Sequence, residues 1–149
     1  MAFTRHYCPK FDFVLTECTG KIDDQTLLIH LMSFSSETKK FHFIKELVDM
    51  RHLRDSNEVT ANGLTRLAGM HPNLFPKIKM HSAVLVDACE NKNNVEIFVQ
   101  LFNAPNVKIK VFNKGFAEPL SWLGYHEADI PIIKRFINNT SKSKRQIEA

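Results

Sequence analysis

The residues best placed to do chemistry in this sequence are an acid and a base that close a short apolar run, Lys45-Glu46-Leu47-Val48-Asp49-Met50-Arg51. Leu47, Val48 and Met50 read as a strand, too short for a helix and apolar enough to be covered on both faces. Ser82-Ala83-Val84-Leu85-Val86-Asp87 repeats the arrangement, a buried strand that ends in an acid. In open α/β sheets, side chains just beyond the carboxyl ends of parallel strands line the crevice where ligands bind. Asp49, Arg51 and Asp87 are therefore expected at such a crevice, either as a site for a ligand or partner or as ion pairing that ties down a loop. Ser56 follows them at an expected helix start. There it would serve as a cap or as the acceptor of a regulatory phosphate.

Other reactive side chains form no constellation. His6, His30, His42, His52, His71, His81 and His126 show no H-E-x-x-H and no ligand spacing with cysteine, so structural or solvated roles are expected and no metal. Cys89 and Glu90 follow Asp87, and a helix start would lower the thiol pKa, but the sequence places no base beside it. With no G-x-G-x-x-G and no Walker loop, neither a nucleotide nor another cofactor is expected. A non-enzymatic role is the resulting expectation.

These residues need a scaffold, and the chain supplies alternating elements. Thr4 to Tyr7 and Asp12 to Cys18 read as a hairpin, with Phe13, Leu15 and Glu17 on one side and Val14, Thr16 and Cys18 on the other. Gly20 is expected to break the second strand. Asp23 is expected to cap a helix carrying Leu27, Leu28, Leu31 and Met32, which the polar stretch Ser33 to Lys40 ends. Asp55 with Glu58 resembles a capping box that opens a second helix through about Met70, with Gly63 allowing close approach to the sheet and the prolines after His71 preventing continuation. Asn93 to Phe102 is a helix with Val95, Phe98, Val99 and Phe102 at helical spacing. Val107 to Phe112 alternates with lysines like an outer strand. A short helix from Phe116 to Leu123 stops at Gly124, and Asp129 with Pro131 starts a last helix. The order predicts an α/β fold with a mixed sheet of about five strands, an antiparallel hairpin first and parallel strands after it. Residues 1–125 form the domain, 126–138 a C-terminal helix, and 139–149 a basic flexible tail.

At 149 residues the chain reads as one domain that buries a core without staples. Its net charge of +4 is accounted for by Lys134, Arg135, Lys142, Lys144 and Arg145 against Glu148, so the excess belongs to the tail. A nucleic-acid protein would instead show a basic face on its body, and none is expected to bind here. Three well-separated cysteines, no apolar run of membrane length and no signal-like N-terminus make a reduced, cytoplasmic protein the expectation.

With these elements placed, three segments resemble the SpoIIAA-like bacterial proteins, whose fold is similar to the STAS domain. They are Val95-Glu96-Ile97-Phe98-Val99-Gln100-Leu101-Phe102-Asn103, Val107-Lys108-Ile109-Lys110-Val111-Phe112 and Ala117-Glu118-Pro119-Leu120-Ser121-Trp122-Leu123-Gly124. Leu47-Val48-Asp49-Met50-Arg51 resembles that family's Val-Asp-Leu-Arg strand. The resemblance spans roughly residues 10–125 and implies a fold more than a function. The wider group's antagonists carry an Asp-Ser-Ser-Gly phosphorylation turn, where this chain has Arg54-Asp55-Ser56-Asn57-Glu58. The departure argues against a phospho-switch. The fold is also similar in shape to lipid-carrying domains.

Two functions remain as expectations. The first is a non-enzymatic binding or regulatory module that meets a protein partner, or a second copy as a homodimer, through Asp49, Arg51, Ser56 and Asp87. The alternative is a carrier of a small hydrophobic or lipid-like ligand held between helices and sheet. Twelve phenylalanines suit the carrier, as does peripheral membrane contact through the basic C-terminal helix.

Overall fold

A computed structural model describes residues 2–87, 92–102 and 104–148, with the side chains of 55–57, 92–94 and 141–148 outside that description. Strand β1 (Phe3–Cys8) turns through a single 3-10 turn into β2 (Phe13–Asp23), its antiparallel partner. The chain then alternates through α1 (Asp24–Glu37), β3 (Phe43–Glu58), α2 (Ala61–Leu74), β4 (Lys79–Leu85), α3 (Lys92–Phe102) and β5 (Val107–Phe112). It closes with α4 (Ala117–Trp122) and α5 (Ile130–Glu148). The sheet runs β1-β2-β3-β4-β5, with β2 to β5 parallel.

Because every parallel crossover steps to the adjoining strand in the same direction, right-handedness puts α1, α2 and α3 on one face. The helices α4 and α5 cover the other. Two hydrophobic cores result. One holds Val14, Ile44, Met80 and Val84 under the crossover helices, and the other holds Phe13, Leu15, Leu47, Ala83 and Leu85 under Leu120, Leu123, Ile133 and Ile137. Successive strand residues alternate between these cores. On β3 this sends Ile44, Glu46, Val48 and Met50 toward the crossover helices, and Lys45, Leu47, Asp49 and Arg51 the other way.

Several boundaries differ from expectation. Gly20, at φ +74, bends β2 without ending it, and the strand continues irregularly to Asp23. Asp23 caps α1 as expected, in a capping box closed by Thr26. That helix runs on through the polar stretch because Phe34 and Ser35 are buried there, whereas Met32 points outward. The stretch 52–58 is strand, since β3 outlasts β4 and keeps pairing with β2 as far as Glu58. The second helix therefore starts at Ala61, capped by Thr60 and not at Asp55 or Ser56. Gly63 admits the carboxylate of Asp24, not the sheet, because Asp24 accepts from the Thr60 amide and hydroxyl and leaves no room there for a Cβ. Pro72 is tolerated inside α2 in its last turn, after which the Phe75 amide bonds the His71 carbonyl. At the other end of the chain, α5 continues past Asn138 to Glu148 as helix. No glycine or proline interrupts 139–148, which composition assigned to a flexible tail.

Candidate functional site

The two faces of β3 present two candidate sites. On the α4 side, Asp49 is buried and accepts from the Arg51 amide at 3.1 Å, from Arg51 Nε at 2.9 Å and from a terminal guanidinium nitrogen at 2.9 Å. The guanidinium lies over the Phe116 ring, 4.8 Å from its centre. The hydrogen bonds that Arg51 donates to Asp49 raise the Arg51 pKa, and the charge of exposed Asp87 adds to it. Asp49 and Arg51 are thus in direct contact, and Asp87 lies near enough for its charge to act on Arg51. Asp49 pairs with Leu85, the last residue of the β3–β4 ladder, so the acid marks where β4 ends although β3 continues. Ser56 does not join them at a helix start. It lies in the extended backbone of β3, and its side chain is outside the described residues, as are Cys89 and Glu90 altogether.

Next to Asp49 across the β2–β3 ladder stands Glu17, also buried. His6 Nε2 comes within 3.2 Å of its Oε1 without hydrogen-bond geometry. Among the described residues no group of three or more His, Cys, Asp or Glu side chains is arranged to hold a metal.

On the opposite face lies a cavity of about 100 Å³ between the sheet and all three crossover helices. Its walls are apolar: Leu31 and Phe34 from α1, Leu64 from α2, Val95 and Phe98 from α3, with Val84 among the strand residues beneath. Four ionisable side chains, Glu46, His30, His71 and Cys18, break this lining, and burial governs each. Glu46 stands in the sheet wall, directly opposite Ser82 on β4. Thr16 Oγ donates to its Oε2 at 2.6 Å and Ser82 Oγ donates to its Oε1 at 2.8 Å. Burial still pushes the carboxyl above the ordinary carboxylate range, because two neutral hydroxyls only partly offset lost hydration.

His30 lies between the rings of Phe3 and Phe34, stacked at 4.2 Å and 5.7 Å. Burial, reinforced by nearby Arg5, lowers its pKa to about 3. Arg5 Nη1 sits 2.8 Å from His30 Nδ1. A guanidinium can only donate, so Nδ1 accepts and the imidazole proton resides on Nε2. Arg5 is itself held by Glu37, which also accepts from Tyr7 Oη at 2.6 Å. His71 packs against Phe75 and Phe102, and burial lowers it to about 4. Cys18 faces the same space with a thiol that burial and neighbouring carboxylates push up, so it is no nucleophile.

No protein-family profile matches this sequence, and no curated protein matches it. The structure, however, is similar to that of an uncharacterised protein of the DUF3478 family from Shewanella loihica PV-4, described as having a SpoIIAA-like fold. The two superpose with a TM-score of 0.51 over 82% of this chain and 92% of that one, at 14% sequence identity. This chain has a SpoIIAA-like fold. At such identity the likeness speaks for architecture alone. This chain's mixed sheet of five strands, an antiparallel first hairpin followed by parallel strands, is the one that the alternation of elements predicted.

Sequence reasoning passed over the cavity residues Glu46, His30 and His71 as binding groups. A signal for the first was present. In Ile44-x-Glu46-x-Val48-x-Met50 an acid occupies a position that alternation assigns to the core, as Thr16 does between Val14 and Cys18. The C-terminal helix buries its stripe, Ile133 and Ile137, in the second core, which leaves Ile132 as its exposed large apolar residue among those described. No helix among the described residues is long and apolar enough to cross a membrane.

Proposed function

We propose that this protein binds and carries a small, largely apolar molecule between its sheet and its crossover helices, without a reaction of its own. The observation that carries the proposal is the cavity of about 100 Å³ lined by Leu31, Phe34, Leu64, Val95 and Phe98. Protein interiors pack with few voids larger than a water molecule, so a space of this size forfeits contacts that a ligand would restore. An apolar cavity of ~150 Å³ takes up benzene, which sets the scale of what fits here.

Native mass spectrometry of gently purified protein, followed by denaturation and extraction, tests it. A stoichiometric apolar molecule on the wild type, absent from Val95→Phe, is the expected result. A bare chain that also fails to bind small apolar probes would refute the carrier.

A second reading is favoured by the ion pair of Asp49 and Arg51 beside Phe116 and Asp87. This cluster offers a protein partner or a second copy an acidic rim, a held guanidinium and a ring where β4 ends, with Ser56 further along β3. Loss of self-association or of partner capture in Arg51→Ala or Ser56→Asp, with the fold intact, would support this surface, and unchanged association would count against it.

A further inference from the structure

The cavity is apolar apart from Cys18, His30, Glu46, His71 and Ser82, and the arrangement of their neighbours decides what Glu46 and His30 can offer a ligand. Glu46 sits in the middle of the sheet, with one oxygen accepting from Thr16 and the other from Ser82. An apolar side chain of similar volume would fill this position at no desolvation cost, so the carboxyl is an expensive choice for a wall. Among the described residues no cation pairs with it directly. Arg5, whose charge acts on it, is bound to Glu37 and His30. Burial accordingly favours the neutral acid. With both oxygens already accepting from hydroxyls, a neutral carboxyl is left with one O–H to give. His30 adds a second donor, because Arg5 occupies Nδ1 and fixes the proton on Nε2.

Resting on the reading of this cavity as a binding site, we infer that its ligand is a small neutral molecule whose apolar body fills the space and whose single acceptor oxygen, a ketone or ether, pairs with the Glu46 carboxyl and His30 Nε2. Two donors facing an apolar space select an acceptor. An ionised carboxylate would bring a charge into a site whose described lining holds no Lys or Arg to meet it, and an apolar molecule without oxygen would leave both donors unpaired. At about 100 Å³, against ~150 Å³ for a space that takes up benzene, the cavity suits a ligand of about four to six heavy atoms.

The test uses the full chain and a matched pair of probes, cyclopentanone and methylenecyclopentane, which differ in C=O against C=CH2, with pentanoate as the anionic control. Ligand-observed NMR titration reads all three. The expected result is that cyclopentanone binds at least about tenfold more tightly than methylenecyclopentane and that pentanoate does not bind at neutral pH. In Glu46→Leu the ratio of ketone to alkene should fall toward one while the alkene still binds, and Glu46→Gln, which keeps a donor, should retain part of the preference. Equal binding of the two wild-type probes would overturn the inference and leave the cavity reading standing. Binding of none would overturn both. The wild-type comparison does not depend on whether Glu46→Leu folds, and Ser82→Ala provides a milder perturbation of the same carboxyl.

Discussion

The two faces of the sheet are made from the same strands and solve different problems. Toward α4 and α5 the sheet meets rings edge to face, Phe13 against both Tyr125 and Phe136 with centroids 6.1 Å apart. There Tyr125 also donates to the Phe11 carbonyl at 2.7 Å, which ties the α4–α5 connection to the first hairpin. Toward α1, α2 and α3 the same strands present a carboxyl, and the helices bring two imidazoles and an unfilled space. Residues one apart on β3 therefore differ in kind. Leu47 completes a filled core, while Glu46 on its other side interrupts one. The difference teaches that the α4–α5 face chiefly holds the fold together and that the crossover face gives up packing around a cavity.

The largest effect that would break this comparison comes from truncating matched leucines. Leu120→Ala on the filled face should cost about 4 kcal/mol, and Leu64→Ala, whose side chain already borders the space, about 2–3 kcal/mol. Urea denaturation of both variants measures the gap, and equal losses would mean that the two faces are packed alike.

Acid should act on the cavity face through His71. Its pKa is lowered to about 4 in the folded protein from an ordinary 6.5, so the unfolded chain binds a proton that the folded one refuses. Stability is therefore present above 6.5 and is lost as pH falls from there through about 4, by roughly 3 kcal/mol if that shift alone acts. His71→Met should roughly halve the pH dependence of stability between pH 7 and 4, because His30, lowered to about 3, keeps a like contribution over that range. An unchanged slope would place the titrating group elsewhere.

Enlarging side chains should separate the faces by sign. Ala83 is fully buried on the filled face, and Ala83→Val should destabilise by about 2 kcal/mol. Val84, its neighbour on the cavity side, has space ahead of it, and Val84→Ile should stabilise by up to about 0.8 kcal/mol, one methylene's worth. Thermal melts of the two variants read this directly.

The smallest expected effect is at the end of the β3–β4 ladder. With about a third of its side chain exposed, Arg51 contributes modestly, and Arg51→Ala should cost about 1 kcal/mol in chemical denaturation. A much larger loss would make the Asp49 pair a structural keystone rather than a contact surface.

Much of this organisation was legible in the sequence. The strand Val107–Phe112, the short helix stopped at Gly124 and the cap at Asp23 were read from alternation, spacing and turn chemistry, because each depends on neighbours within a few residues. The extent of β3 was not, since residues 52–58 are held extended by a ladder to β2, some thirty residues earlier in the chain. The start of α2 was misread for a related reason. Asp55 and Ser56 have capping chemistry, but β2 claims their backbone and leaves Thr60 as the cap, anchored in turn by Asp24. Of the candidate residues, Asp49, Arg51 and Asp87 were singled out because they follow apolar runs, and Glu46 was passed over because it interrupts one.

The sequence by itself determined the class of fold, since the alternation of two-residue and helical periods admits little except a mixed sheet with crossover helices. Only the tertiary structure decided where space remains. A cavity is the difference between the volume enclosed by α1, α2, α3 and the sheet and the volume their side chains fill, and no local pattern records that difference. The same holds for the carboxyl. Thr16, Glu46 and Ser82 are far apart in the chain and meet only when three strands align, and burial there, not the residue types, raises the pKa of Glu46.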